Sequence, residues 1–173
     1  MKFKFKIQQY QTDAVENTVS VFTGQPSHRV AEYRRDLGKR SQQQIDFEGE
    51  TGFRNHHIEL DGRTLLKNIN AIQNLYDITP SATLSKGVGA VNLDIEMETG
   101  TGKTYVYIKT MFELNKQYGW SKFIIVVPSI AIREGVAKSF NMLEEHFMEY
   151  YGKKARRFIY NSSNLQQLDS FSS

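Results

Sequence analysis

Cysteine is absent from this chain of 173 residues, and so is any long apolar run. Without thiols the chain cannot form disulfides or the thiolate ligand sets of structural zinc sites. No apolar stretch approaches the roughly 20 residues that a membrane-spanning helix needs. A strong excess of one charge is missing too, since the net charge is only +3. That charge is compatible with an anionic partner such as nucleic acid but does not predict one. These absences favour a globular, cytosolic protein without membrane association.

Apolar residues at helical spacing predict four helices, over residues 10–22, 65–78, 105–118 and 129–151. A further helix over residues 29–40 is weakened by Gly38 and by the three consecutive glutamines that follow it. Residues 3–7 alternate lysine with apolar side chains, which is typical of a short edge strand rather than of a signal peptide.

Strand signals alternate with these helices from residue 91 onward. Residues 91–97 alternate apolar and polar side chains, residues 123–127 form a continuous apolar run, and residues 157–160 are a third, shorter candidate. Strands that alternate with helices are typical of a parallel sheet with right-handed crossovers. We therefore predict an α/β fold with a parallel sheet, whose ligands bind at the carboxyl ends of the strands.

A glycine-containing loop, Met97-Glu-Thr-Gly-Thr-Gly-Lys-Thr104, joins the first of these strands to the next helix. In the phosphate-binding loop G-x-x-x-x-G-K-[ST], backbone N–H groups surround the phosphates, the lysine adds a positive charge, and the hydroxyl binds Mg²⁺. Met97 departs from that pattern, and the alternative is a glycine-rich turn with a chance Lys-Thr pair. We predict an ATP site whose candidate residues are Thr99, Gly100, Thr101, Gly102, Lys103 and Thr104, with Thr104 as the metal ligand.

Two further groups of residues carry weaker signals. Gln11 near a helix start can present its amide to an adenine edge, although an exposed glutamine is the simpler interpretation. Ser129 and Arg133 stand at the start of the last predicted helix, where a hydroxyl and a guanidinium can contact a nucleic-acid phosphate. A capped helix with a solvated arginine explains the same pattern. The pair His56-His57 lacks further ligands at metal-binding spacing, and the basic run at residues 153–157 is typical of a solvated face.

Taken together, these motifs resemble those of superfamily-two (DEAD/DEAH-like) helicases. Tyr10-Gln11 is similar to their adenine-reading motif, residues 97–104 to motif I, in which the first glycine is commonly replaced, and residues 127–129 to motif Ia. The runs at 97–107 and 122–136 resemble the Res subunit of type III restriction–modification enzymes. The resemblance implies a three-layer P-loop NTPase (RecA-like) fold and a motor that uses ATP and Mg²⁺ on double-stranded DNA. It also implies a methyltransferase (Mod) partner, Gln11 as the adenine contact, and Ser129 and Arg133 as DNA contacts.

By the same resemblance, residues 1–173 form an incomplete first motor domain. It comprises the glutamine-motif helix region at 1–22, an insert with one helix at 23–90, the P-loop β-α-β-α-β core at 91–161 and a polar tail at 162–173. No D-E-x-H or D-E-x-D box occurs in the chain, so we expect little ATP turnover and no DNA cleavage from it alone. Two alternatives stay open, namely a small P-loop protein of another class and a DNA-binding or subunit-docking module with a vestigial loop.

Overall fold

The computed structural model describes residues 6–28, 55–85, 87, 89 and 91–160, which contain four helices. These are α1 (Gln9–Ser20), α2 (Gly62–Leu75), α3 (Lys103–Tyr118) and α4 (Ile130–Tyr151). Their positions agree with the four helices that the apolar spacing predicts. The helix predicted over 29–40, most of the edge strand predicted at 3–7 and the tail at 162–173 lie outside the described residues.

The predicted α/β fold with a parallel sheet, the three-layer RecA-like arrangement, is wrong for this structure, because no strand occurs among the described residues. Residues 91–97, 123–127 and 157–160 are described, but none of them pairs with a neighbour. Ile124 and Val126, which the sequence predicts to be buried in a central strand, are 79% and 88% exposed. A strand is completed by backbone hydrogen bonds to another strand, whereas alternation and β-branching indicate only a preference for extended backbone.

The main apolar core lies where α1 and α3 pack together, with Leu65 of α2 beneath them. Val15 and Val19 of α1 meet Val106 of α3 in this cluster. Complete burial of one such side chain contributes about 1.5–3 kcal/mol, so these few contacts fix the relative position of the two helices. As a result, the amino-terminal ends of α1 and α3 lie at the same end of the cluster, where Gln11 contacts Thr101.

A second core joins α3 to α4 through Ile108, Leu143 and Phe147. Aromatic rings extend it, with Phe112 stacked on Phe147 at a centroid distance of 4.9 Å. Because α3 contributes to both cores, it packs against α1 in one and against α4 in the other. The loop before α3 therefore leads into the helix that, of the four described, has the most buried residues.

The segment at residues 55–59 is bound by polar contacts to residues 120–122, which follow α3. The Asn55 carboxamide accepts from the backbone N–H groups of Ser121 and Lys122 and donates to the Lys122 carbonyl, at 2.7–2.9 Å. The Trp120 indole donates to the His56 carbonyl at 3.1 Å. The ring of His56 stacks on that of His28 at a centroid distance of 3.9 Å. In the described ranges, no cluster of three potential metal-binding side chains is found.

The basic run at 153–157 is held against α3 and α4. Lys154 bonds Glu144 at 2.6 Å, Lys153 bonds Asn115 at 2.9 Å, and Arg157 bonds Asn141 at 2.7 Å. These cations therefore fasten the segment after α4 to the helices. None of the described helices is long and apolar enough to cross a membrane.

Candidate phosphate-binding site at the start of α3

The loop before α3 turns through two glycines in the left-handed region. Gly100 has φ +84° and Gly102 has φ +86°, conformations that residues with a Cβ adopt only at a cost. Gly102 is the N-cap of α3, and within the described part of the chain no side-chain cap accepts a hydrogen bond from the first N–H groups of this helix. Those N–H groups have no intrahelical acceptor and carry the positive end of the helix dipole, so they suit an anion.

Lys103, the first residue of α3, folds back across the loop. Its ammonium donates to the carbonyl oxygens of Met97 and Glu98, both at 2.8 Å, while the side chain stays exposed. The Thr101 hydroxyl also donates to the Glu98 carbonyl, at 2.6 Å. The loop is thus closed by its own side chains, with one positive charge held at its edge.

The amino-terminal end of α1 contacts the same loop. The Thr101 carbonyl accepts from the Gln11 amide nitrogen at 2.9 Å and from the Tyr10 hydroxyl at 3.2 Å. A Cβ on Gly102 would lie 2.5 Å from that amide nitrogen, so the Gln11 side chain would have to shift if any other residue stood there. The structure brings Gln11, the predicted adenine contact, to the loop before α3, and its adenine role stays a prediction. Sequence reasoning did not predict the contact between Tyr10 and Thr101. The one signal for it was the position of this aromatic residue directly before Gln11.

Thr104, the predicted magnesium ligand, lies in the first turn of α3 and is half-buried. Tyr107 follows on the same helix, and its hydroxyl is buried without a hydrogen-bond partner among the described residues. Burial raises the pKa of the Tyr107 phenol, and the nearby Thr104 side chain opposes that rise. The two groups are therefore close, although their geometry falls short of a hydrogen bond. Sequence reasoning did not single out Tyr107, whose one signal is its helical spacing from Thr104.

Ser129 and Arg133, the predicted DNA contacts, stand at the start of α4. The Ser129 hydroxyl oxygen accepts from the Ile132 N–H at 3.3 Å and so caps the helix. The Arg133 guanidinium bonds the neighbouring Glu134 carboxylate at 3.1 Å. Both residues therefore have partners within α4, and the described contacts do not join them to the loop before α3.

A polar contact links α3 to α4 near the loop. The Tyr105 hydroxyl lies 3.2 Å from His146 Nε2, and the two rings pack at a centroid distance of 5.7 Å. Burial lowers the pKa of His146, with a further small contribution from the Lys109 charge, while Glu149 opposes the shift. Burial raises the pKa of Tyr105. The neutral imidazole is therefore the form that this packing favours.

The donor groups of the loop fit a nucleotide phosphate with a bound divalent cation. Open N–H groups and a lysine ammonium suit phosphate oxygens, and a threonine hydroxyl is an oxygen ligand of the kind that Mg²⁺ prefers. The space beside Gly100 is open, because a Cβ there would meet no atom within 4 Å.

The chain is similar to known proteins over most of its length. A family model described as "Type III restriction enzyme, res subunit" matches residues 4–170. The chain is 37% identical over 110 residues to the EcoP15I Res subunit of Escherichia coli, and equally to the EcoPI Res subunit of Escherichia phage P1. Each alignment covers 62% of this chain and 11% of the relative. The StyLTI Res subunit of Salmonella typhimurium is 51% identical over 63 residues, which are 35% of this chain and 6% of that protein. The chain thus spans about a tenth of the length of these relatives.

Proposed function

This chain belongs to the family of type III restriction enzyme Res subunits, and we propose that it supplies the ATP-binding part of a DNA motor in a restriction system. The observation that carries the proposal is the start of α3, where two left-handed glycines precede a helix whose first N–H groups have no side-chain cap. Lys103 adds a positive charge at the same place. The resemblance that the sequence motifs predict is confirmed at the level of the family.

In this proposal the loop from Thr99 to Thr104 holds the β- and γ-phosphates of ATP. The first N–H groups of α3 donate to phosphate oxygens, and Lys103 exchanges its carbonyl partners for them. The Thr104 hydroxyl holds Mg²⁺, which when bound neutralises charge on the phosphates. Gln11 contacts adenine, which its position beside the loop supports. The contact between Gln11 and Thr101 then connects the base end of the nucleotide to the phosphate end.

The remaining parts of the proposal concern the whole protein. We propose that it acts on double-stranded DNA in the cytosol, together with a methyltransferase (Mod) subunit, and that Ser129 and Arg133 contact the DNA backbone. The relatives are named as Res subunits of restriction-modification enzymes, which supports this assignment. The family match also argues against a P-loop protein of another class.

We further propose that this chain alone binds ATP but turns over little of it. Hydrolysis by such motors needs a second metal ligand and a group that orients the attacking water. Helicases of this type carry both in an Asp-Glu box, and no Asp-Glu pair occurs in the 173 residues. Nucleotide binding and hydrolysis are therefore expected to separate in this chain.

The test measures binding of a fluorescent ATP analogue with Mg²⁺, and phosphate release in the same samples. Lys103→Ala removes the charge at the loop and is expected to weaken binding at least ~10-fold, since bonds between a charged group and its partner contribute roughly 1.5–3 kcal/mol. The matched control is Lys67→Ala, which removes an exposed lysine from α2. The control should bind as the wild type does, and phosphate release should be negligible in all three proteins.

Circular dichroism of each variant separates loss of the site from loss of the fold. Wild-type chain that does not bind the analogue, or a folded Lys103→Ala variant that binds it equally well, would overturn the ATP-binding proposal in favour of a vestigial loop. Sustained phosphate release by the wild type would overturn the proposed lack of turnover.

A further inference from the structure

Tyr107 and Thr104 lie on one side of α3, separated by a single helical turn. Residues spaced by three positions are neighbours on a helix surface, and long helical side chains point back toward the amino terminus. The Tyr107 ring packs against the core formed by Ile108, Leu143 and Phe147. The packing holds the ring in place, and the direction of the side chain brings its hydroxyl over the turn that contains Thr104.

The Tyr107 hydroxyl is a buried polar group without a hydrogen-bond partner among the described residues. Such groups are rare in folded proteins because each loses its water without gaining a protein partner. A phenylalanine would fill the same space without that cost. The described contacts supply no partner for this hydroxyl, and the Thr104 side chain lies one helical turn away on the same side of α3.

Threonine in a helix has two accessible rotamers, because its hydroxyl can also bond a carbonyl of the preceding turn. The proposed magnesium role requires a rotamer that directs the oxygen toward the loop. A hydroxyl that gives a lone pair to Mg²⁺ keeps its hydrogen, becomes a stronger donor, and needs an acceptor for it. The buried phenolic oxygen of Tyr107 is an available acceptor one helical turn from Thr104.

We propose that Tyr107 is a positioning residue that accepts a hydrogen bond from the Thr104 hydroxyl when that hydroxyl binds Mg²⁺, and so fixes the rotamer that serves the metal. This inference rests on the proposed function, because it requires a magnesium nucleotide at the loop. It involves no proton transfer, since the hydrogen stays on Thr104. In this role Tyr107 increases the contribution of Mg²⁺ to nucleotide affinity.

The test compares Tyr107→Phe with the wild type in two measurements. The first is affinity for the fluorescent ATP analogue in Mg²⁺ and in EDTA, and the second is thermal unfolding without nucleotide. Tyr107→Phe should leave affinity in EDTA unchanged and reduce the gain in affinity on adding Mg²⁺ by roughly 3- to 10-fold, the effect of one hydrogen bond. Its unfolding temperature should stay equal or rise, because the substitution removes an unpartnered buried hydroxyl.

Tyr105→Phe is the matched control, since it removes the hydroxyl that contacts His146 on the same helix. It should lower the unfolding temperature and leave the Mg²⁺-dependent gain unchanged. In a Thr104→Ala background, Tyr107→Phe should have no further effect on that gain.

An unchanged Mg²⁺-dependent gain in Tyr107→Phe, with nucleotide binding intact, would overturn the positioning role and leave the proposed function standing. An equal loss in Tyr107→Phe with and without Thr104 would also overturn it. Wild-type chain that binds no nucleotide in Mg²⁺ or in EDTA would instead refute the proposed function, and this inference with it.

Discussion

The starts of α3 and α4 differ in how each helix satisfies its first N–H groups. At α4 the residue before the helix is Ser129, in extended conformation, and its hydroxyl oxygen accepts from the Ile132 N–H at 3.3 Å. At α3 that residue is Gly102, in left-handed conformation, and none of the described side chains caps the helix. The sequence predicted a phosphate contact at both places. The structure distinguishes a helix start that is closed by its own side chain from one that is open to an external anion.

The difference has an energetic meaning. A serine N-cap contributes about 1 kcal/mol to stability, which α4 gains without a ligand. The start of α3 forgoes that stabilisation and requires glycine at a strained position. A helix end that lacks its own cap and stays exposed can gain comparable stabilisation only from water or from a bound anion. The substitutions below test whether this division between a binding end and a structural end is correct.

The largest effect is expected from Gly102→Ala. The new Cβ would lie 2.5 Å from the Gln11 amide nitrogen and would hold a left-handed φ of +86°. A left-handed residue with a side chain costs roughly 1–2 kcal/mol, and displacement of Gln11 adds to that cost. We expect lower stability in chemical unfolding and at least a tenfold loss of affinity for the ATP analogue.

Two other glycines give matched controls. Gly100→Ala has the same strain, with φ +84°, but its Cβ would meet no atom within 4 Å, so its effect should be smaller. Gly135→Ala lies within α4 in open space and should stabilise the protein by about 0.5–1 kcal/mol without changing nucleotide affinity. Equal losses of affinity in the Gly100 and Gly102 variants would show that the contact with Gln11 is unimportant.

The sequence predicts the helices of this protein better than its tertiary arrangement. Helix formation depends on contacts within about four residues along the chain, so apolar spacing located all four helices to within a few residues of their observed bounds. Strand pairing depends on a partner strand that is distant in the sequence. Because the pattern within residues 91–97 and 123–127 contains no information on such a partner, the prediction of a parallel sheet was wrong. The loop motif could be recognised from the sequence because its glycines and lysine are neighbours along the chain. The contact of Gln11 and Tyr10 with Thr101 spans about ninety residues and became visible only in the fold.

The next effect in size is expected from Ser129→Ala. The substitution removes the cap of α4 and should lower the free energy of unfolding by about 1 kcal/mol, measured by urea titration. Affinity for the ATP analogue should not change, because Ser129 has no described contact with the loop before α3. Ser129→Asp keeps an acceptor at the cap and should restore stability. If Ser129→Ala left stability unchanged, the start of α4 would resemble that of α3, and the comparison would fail.

The smallest effect concerns the contact between the two helices. Burial lowers the pKa of His146 below its usual value of 6.5, so as pH falls the unfolded chain takes up a proton before the folded chain does. The stability is fully present above pH 6.5 and should decrease as the pH falls below that value, which a titration from pH 7.5 to 5.5 covers. The charged or titratable neighbours of His146 include Tyr105, Glu149 and Lys109. His146→Gln should flatten this dependence, and His57→Gln, which removes an exposed histidine, should not. Nucleotide affinity, corrected for the fraction folded, should stay constant over that pH range if the start of α3 works independently of its packing on α4. If nucleotide affinity falls as His146 is protonated, α3 and α4 act as one unit instead.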